Sequence, residues 1–436
     1  MDPLTDRGHP DSPVASHLLN RRPSIRPRIA MKPLDRRQPR PAIVLFLSLL
    51  AVTMPHPLEA QESLDLPAGA GAAWDDVADF FHDTAQEKGV VGGALWLVRD
   101  GQPLAREFHG TADLDEDRSV DEETIFHWAS NTKTLTGIAV LQLRDRGLLS
   151  LDDPAVHWIP ELRRVHSPHG SVESITIRHL LSHSAGFRAS TWPWGGQESW
   201  HPFEPTRWSE LAAMMPWTEV EFEPGSRFGY SNPALVFLAR IVEESSGEPW
   251  EAYVEKWILR PLEMRRSYFR HTPPYLTGYR SNAYRLEGGE PVTRGTDFDP
   301  GITVSNSGLN APIPDLVQYL AFLSGSSDAP VLDRSSLEEM WVPHHPVGEG
   351  AAWGSPHEEM GLTFFLTEHP EGRLVGHAGR QWNHLSFFYL DPDTGVGAIG
   401  VVNTDGAPGP DRILDARAFM DQIRARLVAE VFPLFH

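Results

Sequence analysis

A serine followed three residues later by a lysine, Ser130-Asn131-Thr132-Lys133, opens a stretch of helical character. A serine hydroxyl is a weak nucleophile until a nearby base takes its proton. One helical turn puts residues i and i+3 on the same face, so Lys133 can reach the Ser130 hydroxyl. The chain has four lysines, Lys32, Lys88, Lys133 and Lys256, and otherwise draws its positive charge from arginine. Arginine stays protonated inside a protein, whereas a desolvated lysine can give up its proton. Of the four, Lys133 alone has a serine three residues before it. The pair reads as nucleophile and base for acyl transfer. Ser130 taken alone reads more simply as a helix N-cap, a position that favours serine strongly.

Elements on either side must position this pair. A helix is expected over about 74–88, then two strands, Val90 to Val98 and Pro103 to His109, joined by Asp100-Gly101, a hairpin signal. The segment from Ser130 to Arg146 is apolar nearly all round, which marks a helix buried in a large core, with Gly147 as its stop. A short helix is expected from Ile175 to His183. Residues 190–208 form a loop dense in Trp and Pro, including Trp192, Trp194, Trp200 and Trp208. A loop of that length is more often a binding rim than core. Asn232-Pro233 opens a helix with a cap and a proline at its first position, stopping at Gly247, and another helix covers Trp250 to Ile258. Strands return at Leu385 to Leu390 and Val396 to Asn403, and an amphipathic helix closes the chain over about 411–431. The order implies an α/β fold: an antiparallel sheet of about five strands, assembled from both ends of the chain, with a mainly helical insertion.

The 436 residues, 40% of them hydrophobic, suffice for one large domain. The formal charge is −21, although the first 60 residues are net basic. So acidic a chain suits neither nucleic acid nor an anionic membrane surface. Arg36, Arg37 and Arg40 precede an apolar run from Ala42 to Met54, and Leu58-Glu59-Ala60 resembles a cleavage site. The run is shorter than the ~20 residues of a membrane span. Export is therefore expected, to the periplasm or beyond, with a membrane anchor only if the segment stays uncleaved. Met31 sits directly before it, and the Pro/Arg-rich residues 1–30 read as an upstream extension. The expected organisation is leader 1–60, Gly/Ala-rich linker 61–73 and one catalytic domain 74–436. Within that domain the sheet portions cover about 74–125 and 290–436, and the helical portion about 126–289. With no cysteine there is no disulfide, thiolate nucleophile or Cys-ligated metal. His179 and His183 have the spacing of a helical metal pair, but no carboxylate or third ligand is near in sequence, and no metal or cofactor is expected.

Three spaced elements carry a family resemblance. Ser130-Asn131-Thr132-Lys133 resembles the serine–x–x–lysine motif of the serine β-lactamase and penicillin-binding-protein superfamily. Tyr230-Ser231-Asn232 resembles the tyrosine–x–asparagine motif of its class C branch. Gly376-His377-Ala378-Gly379 sits where that branch has lysine–threonine–glycine, or histidine–x–glycine in many esterases and peptidases. The flanks Leu149–Pro154, Ile177–Gly186 and Pro261–Met264 agree, and the resemblance covers about 75–430.

The resemblance implies a β-lactamase/transpeptidase fold with its site between sheet and helical region. Ser130 would form an acyl-enzyme, and Lys133 and Tyr230 would share the proton work. An ammonium beside the phenol would let Tyr230 serve as general base despite its usual titration near pH ~10. Asn232 would bond the substrate amide or Lys133. The backbone N–H groups of Ser130 and Arg380 would form the oxyanion hole, each such donor being worth on the order of 10²–10³ in rate. Gly379, Trp382 and Arg188 would border the substrate. His377 and Ala378 replace the lysine and threonine that meet the substrate carboxylate in class C β-lactamases, so only Arg380 or Arg188 could supply that charge. The expected substrate is a small acyl ester, a small amide or a peptidoglycan-type D-amino-acid peptide, with weak β-lactam turnover. A β-lactamase or D-alanyl-D-alanine carboxypeptidase proper is the alternative, and a non-catalytic peptidoglycan or β-lactam sensor is the alternative of another class.

Overall fold

Asp100 and Gly101 carry φ of 48° and 74°, the left-handed pair that a two-residue hairpin turn demands and an Asp-Gly step supplies. They join β1 (Gly92–Arg99) to β2 (Gln102–Asp113) as the alternation implies. The computed structural model describes residues 66–187, 205–348, 358–369, 371–406 and 415–436, which lie in the unit Glu62–His436. Further strands are β3 (Arg118–Ser119), β4 (Ile125–Ala129), β5 (Tyr268–Phe269), β6 (Ala283–Glu287), β7 (Glu290–Gly295) and β8 (Leu309–Pro312). A carboxyl-terminal set follows: β9 (His345–Pro346), β10 (Glu358–Met360), β11 (Phe365–His369), β12 (Gly372–Gln381), β13 (His384–Leu390), β14 (Val396–Val402) and β15 (Thr404–Gly406).

One antiparallel sheet runs β3-β2-β1-β14-β13-β12-β11-β10-β9. Its centre is the β1–β14 pair, in register from Gly93 opposite Val402 to Arg99 opposite Val396, so both ends of the chain do build the sheet. About five strands are expected and nine are present among the described residues. The extra ones, β3, β9, β10 and β11, have two to five residues, too few to show an alternation in the sequence. Two three-stranded sheets, β4-β8-β5 and β15-β6-β7, complete the set.

The helices are α1 (Ala70–Lys88), α2 (Thr132–Asp145), α3 (Ala155–Trp158), α4 (Ile177–Leu181), α5 (Trp208–Met214), α6 (Asn232–Ser246), α7 (Trp250–Val254), α8 (Val304–Ser307), α9 (Ile313–Ser324), α10 (Arg334–Glu339) and α11 (Ala416–Arg426). Residues 70–73, assigned to a linker on composition, form the first turn of α1. The segment 126–289 holds α2 to α7, but β4, β5 and β6 interrupt it. The helix expected over Trp250 to Ile258 is α-helical only to Val254, and Glu255–Leu259 continue as a π-helical turn. Leu427–Val431 extend α11 in the same way. The Trp-rich loop lies largely outside the described residues, apart from Trp208, which opens α5.

Both faces at the centre of the sheet are covered, which explains why β1, β13 and β14 read as continuous apolar runs. Ala94, Trp96 and Val98 of β1 point into a core shared with α2, α6 and α9. Leu95 and Leu97 point the other way, onto Trp74, Val77 and Phe81 of α1 and Phe419, Met420 and Ile423 of α11. Helix α2 is the centre of the first core: every residue from Thr132 to Leu143 is buried.

That density leaves no slack at Gly137, where a Cβ would run into the Thr363 side chain and Met340 Cε. Alanine in place of glycine gains up to about 1 kcal/mol of helix propensity, whereas overpacking a filled core costs about 1–3 kcal/mol. The clash therefore outweighs the gain. Gly137→Ala is expected to lower the urea midpoint of unfolding; a raised midpoint would contradict the packing described.

Candidate active site

Ala129, the last residue of β4, has φ of 48°, a conformation unfavourable by about 1–2 kcal/mol for a residue with a Cβ. Neighbouring bonds hold this turn. Asn131 Nδ2 donates to the Trp128 carbonyl and to Ser386 Oγ, both at 2.8 Å. Ser386 Oγ donates to the Trp128 carbonyl at 3.1 Å, and Thr132 Oγ1 to the Ala129 carbonyl at 2.6 Å. Gly379 on β12 approaches the Trp128 carbonyl so closely that a Cβ would not fit. Ser130 leaves this turn half-buried, immediately before α2. It does not cap the helix. Asn131 occupies the N-cap position, and the Ser130 hydroxyl accepts from Lys133 Nζ at 2.8 Å.

Lys133 is wholly buried. Its Nζ donates also to the Asn306 carbonyl of α8 at 2.8 Å. Burial alone holds its ammonium well below the usual 10.5, with no carboxylate to offset it. The face of Tyr230 lies over the same amine, 5.1 Å from Nζ to the ring centroid. Burial pushes the Tyr230 phenol above its ordinary value, and the nearby Ser130 hydroxyl offsets this only in part. The phenol faces Ser130 without a bond of good geometry. Burial thus favours the neutral form of both groups, with the amine held below and the phenol above their ordinary values.

Two buried histidines frame this pair. The His183 ring stacks on Tyr230 at 4.7 Å and 21°, and its Nδ1 accepts the Ser231 N–H at 3.1 Å. The proton of neutral His183 therefore sits on Nε2. His377 Nδ1 donates to the Ala378 carbonyl at 2.7 Å, which leaves Nε2 with a lone pair. Its ring meets Phe365 at 5.0 Å and lies 6.4 Å from Tyr230. Burial, then the nearby Lys133 charge, pull His377 down to about 3, and the same two causes lower His183. Tyr230 Oη, His183 Nε2, His377 Nε2 and Asn306 Nδ2 are all buried with no partner within the protein. Four such atoms gathered around one serine–lysine pair are what a site that meets ligand or solvent would leave open.

Ser130 with Lys133, Tyr230 and His377 thus come together from three separate segments. Asn232 is half-buried at the start of α6, beside Tyr230 in sequence, but the structure does not join it to Lys133. Nor does it cap α6. Ser231 does, its Oγ accepting from the Ala234 N–H at 3.2 Å. The Arg380 guanidinium is drawn away to Asp405 Oδ2 at 2.7 and 2.8 Å, so it offers no free charge to a substrate. Trp382 lies on the β12–β13 turn, stacked on Phe298 at 5.0 Å with Arg294 over its ring. Arg188 lies outside the described residues. His179 and His183 are not a metal pair: α4 ends at Leu181, and His179 Nδ1 accepts the Thr176 N–H in a capping box while His183 packs on Tyr230. Sequence reasoning missed His183 and Asn306 at the site. His183 falls in the Ile177–Gly186 flank, whereas no motif marks Asn306.

The chain matches the Beta-lactamase family over residues 77–420. It is 28% identical to Esterase EstB of Burkholderia gladioli over 379 residues, covering 79% of this chain and 94% of that one. It is 26% identical over 322 residues, 74% of its length, to Protein flp of Staphylococcus aureus (strain MW2), and spans only 61% of that protein. Its fold matches the octameric penicillin-binding protein homologue from Pyrococcus abyssi with a TM-score of 0.64, at 26% identity over 78% of this chain and 74% of that one.

His377 gives a stability test. An unfolded histidine titrates near 6.5 and the folded one at about 3, so the folded state resists protonation. This contribution is complete above pH 6.5 and is lost as pH falls towards 3; the gap between the two values amounts to at most about 5 kcal/mol. The urea midpoint is expected to fall across that window less steeply for His377→Asn than for the wild type. Equal slopes would contradict the assignment.

Proposed function

The chain belongs to the β-lactamase family, and from that premise we propose that it is a serine hydrolase, forming an acyl-enzyme on Ser130 and favouring neutral esters and small amides over β-lactams. The observation that carries the chemistry is the dry, uncompensated Lys133 amine 2.8 Å from the Ser130 hydroxyl. Neutral Lys133 takes the Ser130 proton as Oγ attacks the carbonyl carbon. The developing oxyanion is met by backbone N–H groups of Ser130 and Arg380, a role that the close approach of Gly379 to the Ser130 turn supports. The new ammonium rests between the Asn306 carbonyl and the face of Tyr230. As the intermediate collapses, the Tyr230 hydroxyl passes a proton to the leaving oxygen or nitrogen and regains one from Lys133. Its raised pKa suits a donor rather than a base. Water then repeats the sequence in reverse and frees Ser130. These steps use no cofactor.

Substrate preference follows from the third motif. His377 is neutral at any ordinary pH, Ala378 has no side-chain donor, and Arg380 is held by Asp405. None of them supplies a free cation for a substrate carboxylate. A neutral acyl donor leaves no charge unmatched there, and the likeness to a protein named an esterase agrees. The Trp382–Phe298 stack, at the turn just after Arg380, is the apolar surface we assign to an acyl or leaving group. A D-amino-acid peptide is the second reading, favoured only if Arg188 supplies the missing charge. A sensor without catalysis has no use for a lysine kept neutral beside serine. The make-up of residues 36–60 supports placing the enzyme outside the cytoplasm. No helix among the described residues is long and apolar enough to cross a membrane.

Ser130→Ala is expected to abolish labelling by a fluorophosphonate probe while the protein stays folded; labelling that persists at another residue would overturn the assignment. Lys133→Ala is expected to lower kcat/KM by on the order of 10²–10⁴. For the wild type, kcat/KM should rank p-nitrophenyl esters above D-alanyl p-nitroanilide and nitrocefin, and a clear preference for nitrocefin would refute the proposed specificity.

A further inference from the structure

Three side chains unconnected with Ser130 converge at the far end of the β11–β12 hairpin. His369 closes β11, Asp391 opens the turn after β13, and His436 follows the helical turn Phe432–Phe435. No spacing in the sequence points to this set. Their donor atoms lie within 4.8 Å of one another. His436 Nε2 is 2.6 Å from Asp391 Oδ2, and His369 Nε2 is 3.6 Å from the same oxygen. The other carboxylate oxygen, Oδ1, accepts the N–H groups of Asp393 and Thr394 at 2.9 and 3.3 Å. That fixes the carboxylate and turns Oδ2 towards both imidazoles. Opposite them stands Gly372, where a Cβ would come within 3.1 Å of His436 Cε1 and 3.3 Å of His369 Nε2. The absence of a side chain there makes room for the two rings.

His369 is the telling member. Its side chain is wholly buried, yet neither ring nitrogen has a hydrogen-bond partner. A packed core histidine satisfies at least one nitrogen; this one aims a bare nitrogen at a shared acidic oxygen it does not reach. Two imidazoles and one carboxylate form a common zinc-binding set, with bonds of about 2.0–2.2 Å that put ligand atoms roughly 3.3 Å apart. The present spread closes to that by movement of His436, whose side chain is 20% exposed.

We propose that His369, Asp391 and His436 bind one divalent transition-metal ion, with Zn²⁺ the best match to a nitrogen-rich set and a water in the fourth position. Access is through the adjoining cavity of about 620 Å³, lined by Glu368, Glu371, Arg373 and Asp393. The ion would staple residue 436 to the sheet. Its role is structural, because the opposite end of this hairpin, Phe365 paired with Gly376, is the one beside His377.

The test is titration of the chelator-stripped full chain with ZnCl₂ and with CoCl₂. We expect one equivalent to bind at about 1 µM or tighter, a tetrahedral Co²⁺ absorption, and a Tm raised by roughly 3 °C at a hundredfold excess over Kd. His369→Ala and His436→Ala should each weaken binding at least about tenfold. Ester hydrolysis should be the same with and without the ion, so this outcome is separable from the fate of the Ser130 proposal. Absence of saturable 1:1 binding, or wild-type affinity in His436→Ala, whose partly exposed site tolerates substitution, would overturn the proposal.

Discussion

The structure turns on one unfavourable fact: an amine held out of water with no acid beside it. Lys133 is buried on every side, and its polar contacts are a serine hydroxyl, a backbone carbonyl and an aromatic face. A charged ammonium in such a place costs several kcal/mol, so burial favours the neutral amine. The fold therefore makes a base by desolvation alone. Burial, the first cause of their own shifts, likewise keeps His183 and His377 beside it neutral.

Keeping one amine dry constrains much of the molecule. Helix α2 must be covered all round, which requires the sheet on one side and α6, α8 and α9 on others. Glycines appear where packing is tightest, at Gly137 against the Thr363 side chain and at Gly379 against the Trp128 carbonyl. The serine must remain accessible although the lysine is not. The left-handed Ala129 achieves this by turning the chain sharply between β4 and α2, and Asn131, Thr132 and Ser386 hold that strain in place.

Much of this was legible from residue types and short spacings. The Ser130–Lys133 pair, the Asp100-Gly101 hairpin and the apolar girth of α2 are local features, and the structure reproduces them. What escaped is non-local. His183 acts on Tyr230 only because the chain turns back after α4, and Asn306 meets Lys133 from a segment without a motif. Capping of α6 passed from Asn232 to Ser231 by one residue, a shift that composition cannot distinguish. The sense of the Tyr230 shift depends on how much protein covers the ring, and that cover comes from His183 and Phe365, far away in sequence. Strands of two or three residues carry no period to read.

The rarity of lysine makes the central claim directly measurable. With ¹³C in the lysine ε-carbon, the full chain gives four signals, for Lys32, Lys88, Lys133 and Lys256, and Lys133→Arg identifies one of them. A pH titration followed by NMR should show the Lys133 signal deprotonating well below the usual 10.5. Four signals titrating together near that value would contradict the account.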